Sequence, residues 1–456
     1  MSAKAAANPF FGCRTAAEAA EAVWAADLAG VQIGIFDVDA ILRWKWVEPK
    51  KFVKLLEQGY PFCDVLYAWD VAEVTYSSEA YVDAPCTIDP ASGRFVPFAE
   101  REALFIADFD PPAGLRSPRH LLARQLEKAA ALGFQVTSGF EYEFFVFEET
   151  PQSLRDKKYR DLKPWLPGNR TYSALTPIAA QGFFRELRDT VAVAGIELDS
   201  QHTELGPGCF EFPLKPTPGL ASADNAALYR FFTRAYCQSR GLLPSFMAKW
   251  SNDYPGQSGH LHLSLQDSAS GRPVFHDPAA PDGMSREMRW FAGGVLRLLP
   301  EALALCSHTV NAYRRLIPGA WAPTSATWGV QNRTTALRAI LGDPGSQRLE
   351  FRVPAADSNP HLSLALALGA GLWGIENRIE PPEPVEGEAY ASGAAQAAPL
   401  PRTLLEAAEA LEGSALARQL FGDVFVDGFA ASRKWEDQVF RRTVSELDLR
   451  RYLETY

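Results

Sequence analysis

Cysteine pairing is the first thing this 456-residue chain lacks. Its six cysteines (Cys13, Cys63, Cys86, Cys209, Cys237 and Cys306) stand far apart, with no Cys-x-x-Cys among them. That spacing excludes a disulfide frame and a cysteine zinc site, and predicts reduced thiols in a cytoplasmic protein. Basic excess is missing too: 45 Lys+Arg face 55 Asp+Glu, a formal net charge of −10. A sequence-independent nucleic-acid binder needs the opposite balance, so no nucleic-acid partner is expected. Long apolar runs are absent. The most apolar stretch, His361 to Ile375, is broken by three glycines and falls short of the roughly 20 residues a membrane-spanning helix needs. The first ten residues carry one Lys and no sustained apolar run, so neither a signal peptide nor a membrane partner is expected.

What remains is ordinary globular composition, with 47% hydrophobic and 22% charged residues, and a length that suggests two or three domains at roughly 150 residues each. The pattern predicts a helix over 15–29, a strand over 31–38 and a helix over 50–58. Short strands are predicted over 64–67, 94–97 and 103–107. This small α+β unit ends at the proline- and glycine-rich Asp108–Gly114. Beyond it, Ser117-Pro118 caps a helix running to Gly133, and a strand follows over 140–147. Further helices are predicted over 176–195, 221–240, 287–306 and 362–378. The strands between them fall at 196–204, 209–212, 245–250, 260–265, 336–341 and 348–353. Residues 380–401, rich in Pro, Glu and Ala, read as an exposed connection.

Four segments carry chemistry. In Gly139-Phe-Glu141-Tyr-Glu143-Phe, residues two apart on a strand share a face, so two carboxylates stand side by side among aromatics. Taken alone the pair reads as a solvated strand face; on an apolar face it demands a cation. In His202-Thr-Glu204-Leu-Gly-Pro-Gly-Cys-Phe-Glu211, two more carboxylates flank a glycine-proline turn that lets them converge. In His260-Leu-His262-Leu-Ser264, two imidazoles and a hydroxyl line one strand face. In Arg348-Leu-Glu350-Phe-Arg352, two guanidiniums bracket a carboxylate, and upstream lie Arg315, Arg333 and Arg338. Any one arginine is ordinarily a surface ion pair. Five of them in a net acidic chain suggest an anion site, because guanidinium forks match phosphates and carboxylates. Carboxylate oxygens suit Mg²⁺ or Mn²⁺, so the residues alone point to metal-assisted phosphoryl transfer.

These segments, in this order, resemble the glutamine synthetase family over nearly the whole chain, to Val444-Ser-Glu-Leu-Asp-Leu-Arg-Arg-Tyr-Leu. The most specific likeness is in Arg348-Leu-Glu-Phe-Arg-Val-Pro-Ala-Ala-Asp-Ser-Asn-Pro-His-Leu and Asn332-Arg-Thr-Thr-Ala-Leu-Arg. The resemblance implies an α+β fold. An N-terminal β-grasp domain would occupy residues 15–112, and a catalytic α/β domain with a curved antiparallel sheet would occupy 113–456. It also implies a homo-oligomer of stacked rings, a decamer or dodecamer, whose neighbouring subunits complete each site.

By motif position, Glu143, Glu204 and Glu211 would hold one metal, and Glu141, His260 and Glu350 another. Two or three Mg²⁺ or Mn²⁺ ions per site are implied. His262, Ser264 and Arg348 would face ATP, with Arg338 also at the nucleotide. Arg333 and Arg338 would neutralise the transferring phosphoryl group, and Arg315 and Arg352 would clamp glutamate. The implied reaction is phosphorylation of the glutamate γ-carboxylate by ATP, then displacement of phosphate by an amine.

Two departures bear on the amine. Where ammonia-using members carry a glutamate that takes a proton from ammonium, this chain has Trp321 in Pro318-Gly-Ala-Trp-Ala-Pro. An indole supplies apolar area and a π face, which favours an amine bearing a carbon skeleton; the plainer reading is that Trp321 packs the loop. The family's acidic N-terminal loop is also altered, to Phe62-Cys-Asp64-Val-Leu-Tyr, and Asp64 is the candidate to reach a neighbour's amine pocket. Tyr390 lies near a regulatory tyrosine of some bacterial members, but its surroundings differ, and adenylylation is not expected. The sequence therefore predicts a glutamate–amine ligase. The alternatives are an ammonia-using glutamine synthetase and a non-catalytic structural or regulatory member, the latter disfavoured by the undamaged metal and phosphate residues.

Overall fold

Two sheets organise the molecule, seen in a computed structural model that describes residues 8–77, 80–390 and 397–455. The first is N-terminal. Strands β1 (Gly30–Phe36) and β2 (Leu42–Val47) form an antiparallel pair, and β1 also runs parallel to β7 (Glu102–Phe109). Strands β5 (Cys86–Ile88) and β6 (Arg94–Phe95) pair with β7, giving the order β2-β1-β7-β5. Helices Ala16–Ala25 and Pro49–Gln58 accompany this sheet; Thr15 caps the first through a capping box with Glu18. A small hairpin, β3 (Phe62–Cys63) with β4 (Asp83–Ala84), completes the unit.

The second sheet is built around one long strand, β8 (Phe134–Phe147). Its order is β14-β15-β16-β13-β8-β10-β9, where β9 is His202–Thr203, β10 Cys209–Pro213, β13 Gly259–Asp267, β14 Trp328–Val330, β15 Leu337–Ile340 and β16 Arg348–Phe351. Two short strands, β11 (Thr217–Pro218) and β12 (Leu243–Ser245), also pair with β8. All pairings are antiparallel except β14 with β15. The helix Ala221–Ser239 covers one face, placing Tyr229 against Tyr142 of β8. Deeper still, helices Arg286–Ala302 and Pro360–Asn377 cross at Gly294, where an added Cβ would lie 2.1 Å from the carbonyl of Ala370. Among the described residues no helix is long and apolar enough to cross a membrane.

Several expected elements take other forms. Residues 64–67 are a 3₁₀ turn, not a strand, because neighbouring Leu66 and Tyr67 both face the core, which strand alternation forbids. Of residues 245–250 only Ser245 is in strand, at the end of β12. After Ser245 the ladder position on β8 passes to the next segment, whose Ser258 carbonyl accepts the Glu143 N–H. Of residues 196–204 only His202–Thr203 are in strand, with residues 197–199 meeting residues 213–215 through isolated bonds. The helix expected over 176–195 is two, Leu175–Ala179 and Gln181–Val193, broken where Ala180 leaves helical geometry. Strand β2 was not expected at all. Of the connection at 380–401, residues 391–396 lie outside the described residues.

Candidate active site

Register explains why polar residues from distant stretches meet. Paired residues on adjacent strands lie side by side on one face. Across β8 and β13, Glu141 pairs with His260; across β8 and β10, Glu143 pairs with Glu211, which in turn pairs with His202 of β9. Across β13 and β16, His262 pairs with Glu350, which pairs with Arg338 of β15. Five strand pairings thus assemble a row of acids, imidazoles and a guanidinium on one side of the sheet. Tyr142, between the two glutamates, takes the opposite side and is buried against the covering helix.

The turn between β9 and β10 is set by its glycines. Gly208 has φ +72°, and a Cβ there would meet carbonyl oxygens of Trp165 at 2.5 Å and Val146 at 2.7 Å. Buried Asn169 ties the turn from inside, its Nδ2 donating to the carbonyl of Cys209 (2.9 Å) and to those of Gly206 and Glu204. This anchors Glu204 and Glu211 beside each other.

Two acidic groups result. In one, His260 Nδ1 lies 3.1 Å from a Glu141 oxygen and 3.6 Å from Glu350, while His262 Nε2 lies 3.1 Å from the other Glu141 oxygen. Arg338 Nη1 donates to Glu350 at 2.8 Å, and buried Arg352 pairs with the second Glu350 oxygen. Arg348 Nε donates to His262 Nδ1 at 3.0 Å, so the His262 proton is assigned to Nε2 and given to Glu141. In the other group, ligand atoms of His202, Glu204 and Glu211 lie within 4.8 Å of one another, as do those of Glu141, His262 and Glu350. Glu143 accepts the Ser258 N–H at 2.5 Å.

Charge is distributed unevenly over these groups. Burial opposes ionisation of Glu141, but hydrogen bonds from His260 and His262 outweigh it and hold the carboxyl well below the ordinary range. Glu350 is likewise buried, yet His260 and Arg352 bring it down to about 2. Burial, with Arg352, lowers His260 to about 4, so its imidazole is neutral at pH 7. Glu143 and Glu211 are pushed up by burial and by neighbouring carboxylates, Glu204 acting on both. The residues fit divalent cations: acidic oxygens crowded beyond what local cations neutralise, a neutral imidazole beside them, and no cysteine in the set. His260 presents Nδ1 to both Glu141 and Glu350, and its Nε2 is buried without a partner among the described residues.

A cavity of about 560 Å³ opens over this row. Glu141, Glu211, His262, Ser264, Arg333, Arg338 and Arg348 all line it. Glu143, Glu204, His260 and Glu350 are not at its wall; the last two are buried. Arg315 and Arg352 are buried as well, Arg315 donating to the carbonyls of Val353 (2.9 Å) and Arg352 (3.2 Å) and Arg352 Nε to that of Arg333 (3.0 Å). Burial pulls Arg315 down to about 10, against the charge of Glu143.

Trp321 is elsewhere, in a second cavity of about 640 Å³ that it lines with Val330, Pro384 and Val385. Exposed Arg333 belongs to both cavities. Asp64 lines neither; its carboxylate accepts the Val82 N–H at 3.0 Å. The Tyr390 hydroxyl donates to the carbonyl of Ala322 at 2.9 Å, and the sequence reading gave no part to His202, whose ring stands in the motif it quoted. It also missed Asn332, whose Nδ2 holds the carbonyls of Val385 (3.0 Å) and Gly387 (2.8 Å). The Asn-Arg pairing at 332–333 was the available signal.

A sheet that offers acids and imidazoles to cations, with arginines along the wall above, defines an enzyme site for a polyanionic substrate. Residues 115–452 match the family model described as glutamine synthetase, catalytic domain, and the chain belongs to the glutamine synthetase family of ligases. It is 37% identical over 443 residues to γ-glutamylethanolamide synthetase GlnA4 of Streptomyces coelicolor, covering 95% of this chain and 94% of that protein. It is 35% identical over 438 residues to type-1 glutamine synthetase 2 of Dictyostelium discoideum, covering 93% and 83%. A solved structure, the GmaS/ADP complex, superposes with a TM-score of 0.84 at 25% identity, covering 95% of this chain and 99% of that one.

Proposed function

We propose that this ligase joins the γ-carboxylate of glutamate to a small organic amine, consuming ATP and releasing ADP and phosphate. The observation that carries the reading is the cavity beside Trp321, walled on one side by Val330, Pro384 and Val385 and on the other by polar residues including Asn332 and Glu386, which adjoins the acidic cavity through their shared Arg333. The similarity to a γ-glutamylethanolamide synthetase supports the same substrate class.

In this reading Glu143, Glu204 and Glu211, with His202 alongside, hold one divalent cation, and Glu141, His260 and Glu350 hold another. His262 is set as a donor by Arg348 and faces the nucleotide with Ser264. When bound, the cations supply charge neutralisation to the phosphate oxygens. Arg333 and Arg338 stand at the cavity wall, where charge spreads over the transferring group. The γ-carboxylate oxygen attacks the terminal phosphorus and ADP leaves. The amine nitrogen then attacks the acyl carbon, phosphate leaves with the C–O electrons, and the amine gives up a proton. Arg315 and Arg352, fixed by backbone carbonyls, hold positive charge for the carboxylates of glutamate. Trp321 has no proton-accepting atom, so it acts on the amine through contact alone.

The same reading takes residues 15–112 as a β-grasp unit, supported by the central parallel pair β1 and β7, and 113–456 as the catalytic domain. Half-exposed Trp44 and Trp46 on edge strand β2 support a ring-forming subunit contact, with Asp64 delivered to a neighbouring site. Six free thiols support a cytoplasmic setting. The test is phosphate release with ATP, glutamate, Mg²⁺ and a panel of alkyl-, aryl-, hydroxyalkyl- and polyamines. An organic amine should exceed ammonia in kcat/KM; if ammonia exceeds every amine, the enzyme is a glutamine synthetase in the narrow sense.

A further inference from the structure

Behind the catalytic sheet lies a cavity of about 540 Å³ that shares no residue with the acidic one. Its walls come from Asp39–Leu42 of the N-terminal unit, from the helix Ala221–Ser239, and from residues 244–247 after β12. The covering helix contributes Arg230 and Arg234, one turn apart, where two like charges disfavour each other. Arg230 lies 5.5 Å from the ring centre of Tyr142 and spends only Nη1 on partners, the carbonyls of Ala356 and Ser358, both at 2.8 Å. Arg234 has no hydrogen bond or ion pair with any described residue. Of the carboxylates nearby, Asp39 is engaged by Arg433 (2.8 Å) and His308, and Asp357 accepts from the Thr309 hydroxyl through Oδ2 (2.8 Å), its Oδ1 being buried without a partner among the described residues. Ile41, Phe231, Phe246 and half-exposed Met247 give the cavity an apolar wall.

Two guanidiniums with donors to spare, the exposed one, Arg234, at the open side, and an apolar wall along one cleft are the parts of an amphipathic-anion site, with a single unpartnered carboxylate oxygen, Asp357 Oδ1, set against them. We infer that this cavity is a second ligand site, taking a small organic carboxylate with an apolar body, its carboxylate between Arg230 and Arg234 and its chain against Phe246 and Met247. The inference does not depend on which amine the catalytic site uses. It also gives the ligand a route to that site. Arg230 grips the carbonyls of Ala356 and Ser358 from one side, while Arg315 grips those of Arg352 and Val353 from the other. A carboxylate drawing on Arg230 therefore bears on the segment that carries Arg352, and with it the glutamate site.

The test is calorimetric titration of the full-length enzyme with hexanoate, with glutamate, ADP and Mg²⁺ already saturating so that the catalytic cleft is occupied. Saturable binding is expected, with hexylamine silent. Arg234→Glu should weaken hexanoate on the order of tenfold or more, the scale of one lost charge-assisted hydrogen bond. Met247→Ser should weaken hexanoate while leaving the feebler binding of acetate unchanged. Phosphate release by Arg234→Glu without hexanoate should equal wild type, showing an intact fold. Hexanoate should shift the KM for glutamate in wild type and not in Arg234→Glu. No saturable binding, or binding undiminished in Arg234→Glu, overturns the site; binding with an unmoved KM overturns the route to the glutamate site.

Discussion

Replacing Trp321 by glycine separates the amine-binding role of the indole from a packing role. The residue sits at φ +56°, a left-handed conformation that costs a side-chain-bearing residue about 1 kcal/mol. Glycine removes that cost but adds backbone entropy to the unfolded chain, worth roughly 0.5–1 kcal/mol, so the two nearly cancel. The indole is 60% exposed, so little core packing is lost with it. Thermal stability should therefore be unchanged. Catalysis should not be. An amine with two or three carbons against the indole gains about 0.8 kcal/mol per buried methylene, or roughly 2 kcal/mol in all. Losing that contact should cut kcat/KM for such an amine about 30-fold, whereas ammonia, which has no carbon to bury, should change by no more than about threefold. The assay is phosphate release at saturating ATP, glutamate and Mg²⁺ with each amine varied, beside a melting curve. Equal losses for the organic amine and ammonia, or no loss for either, would show that the indole only shapes its loop.

Two further outcomes follow from the packing. Asp224 is buried, but Arg119 and His361 outweigh the burial and hold its carboxyl well below the ordinary range. A lowered folded value means its stabilisation is complete above the unfolded value of about 4 and is lost as the pH falls through and below it. Urea midpoints of wild type and Asp224→Asn should differ most near neutrality and converge in acid; a pH-independent gap would refute the assignment. At the crossing of helices Arg286–Ala302 and Pro360–Asn377, Gly294→Ala should destabilise by about 3 kcal/mol or more, because the new methyl meets the Ala370 carbonyl and the backbone of Gly374. An unchanged melting temperature in that variant would mean the helices separate more easily than their packing indicates.

The catalytic strands were the legible part of the molecule because their polar residues recur every second position. Glu141/Glu143, His260/His262/Ser264 and Arg348/Glu350 each declare a strand face before any partner is known, and register then brings them together. Legibility failed where burial does not follow that period. Strand β2 reads Leu-Arg-Trp-Lys-Trp-Val, and as an edge strand it leaves residues 44–46 open on both faces, so no alternation marks it. Asp64–Tyr67 buries consecutive side chains and turns. The grouping of acids and imidazoles also depends on details finer than spacing. His260 and His262 share a face, but only the hydrogen bond from Arg348 assigns the His262 proton to Nε2 and leaves His260 facing two carboxylates with Nδ1. His202 was visible beside Glu204, yet its place next to Glu211 emerges only once β9 is paired to β10.

The N-terminal sheet is fastened to the rest of the chain at several separate points. Arg119 grips both Asp89 and Asp224, Arg94 reaches Asn225, Asn359 holds the Val38 carbonyl, Arg433 clasps Asp39, and Trp435 donates to Asp70. Rivets spread this widely across a seam leave no axis about which one half could swing against the other. Mutations along the seam should therefore register as lost rigidity across the whole chain.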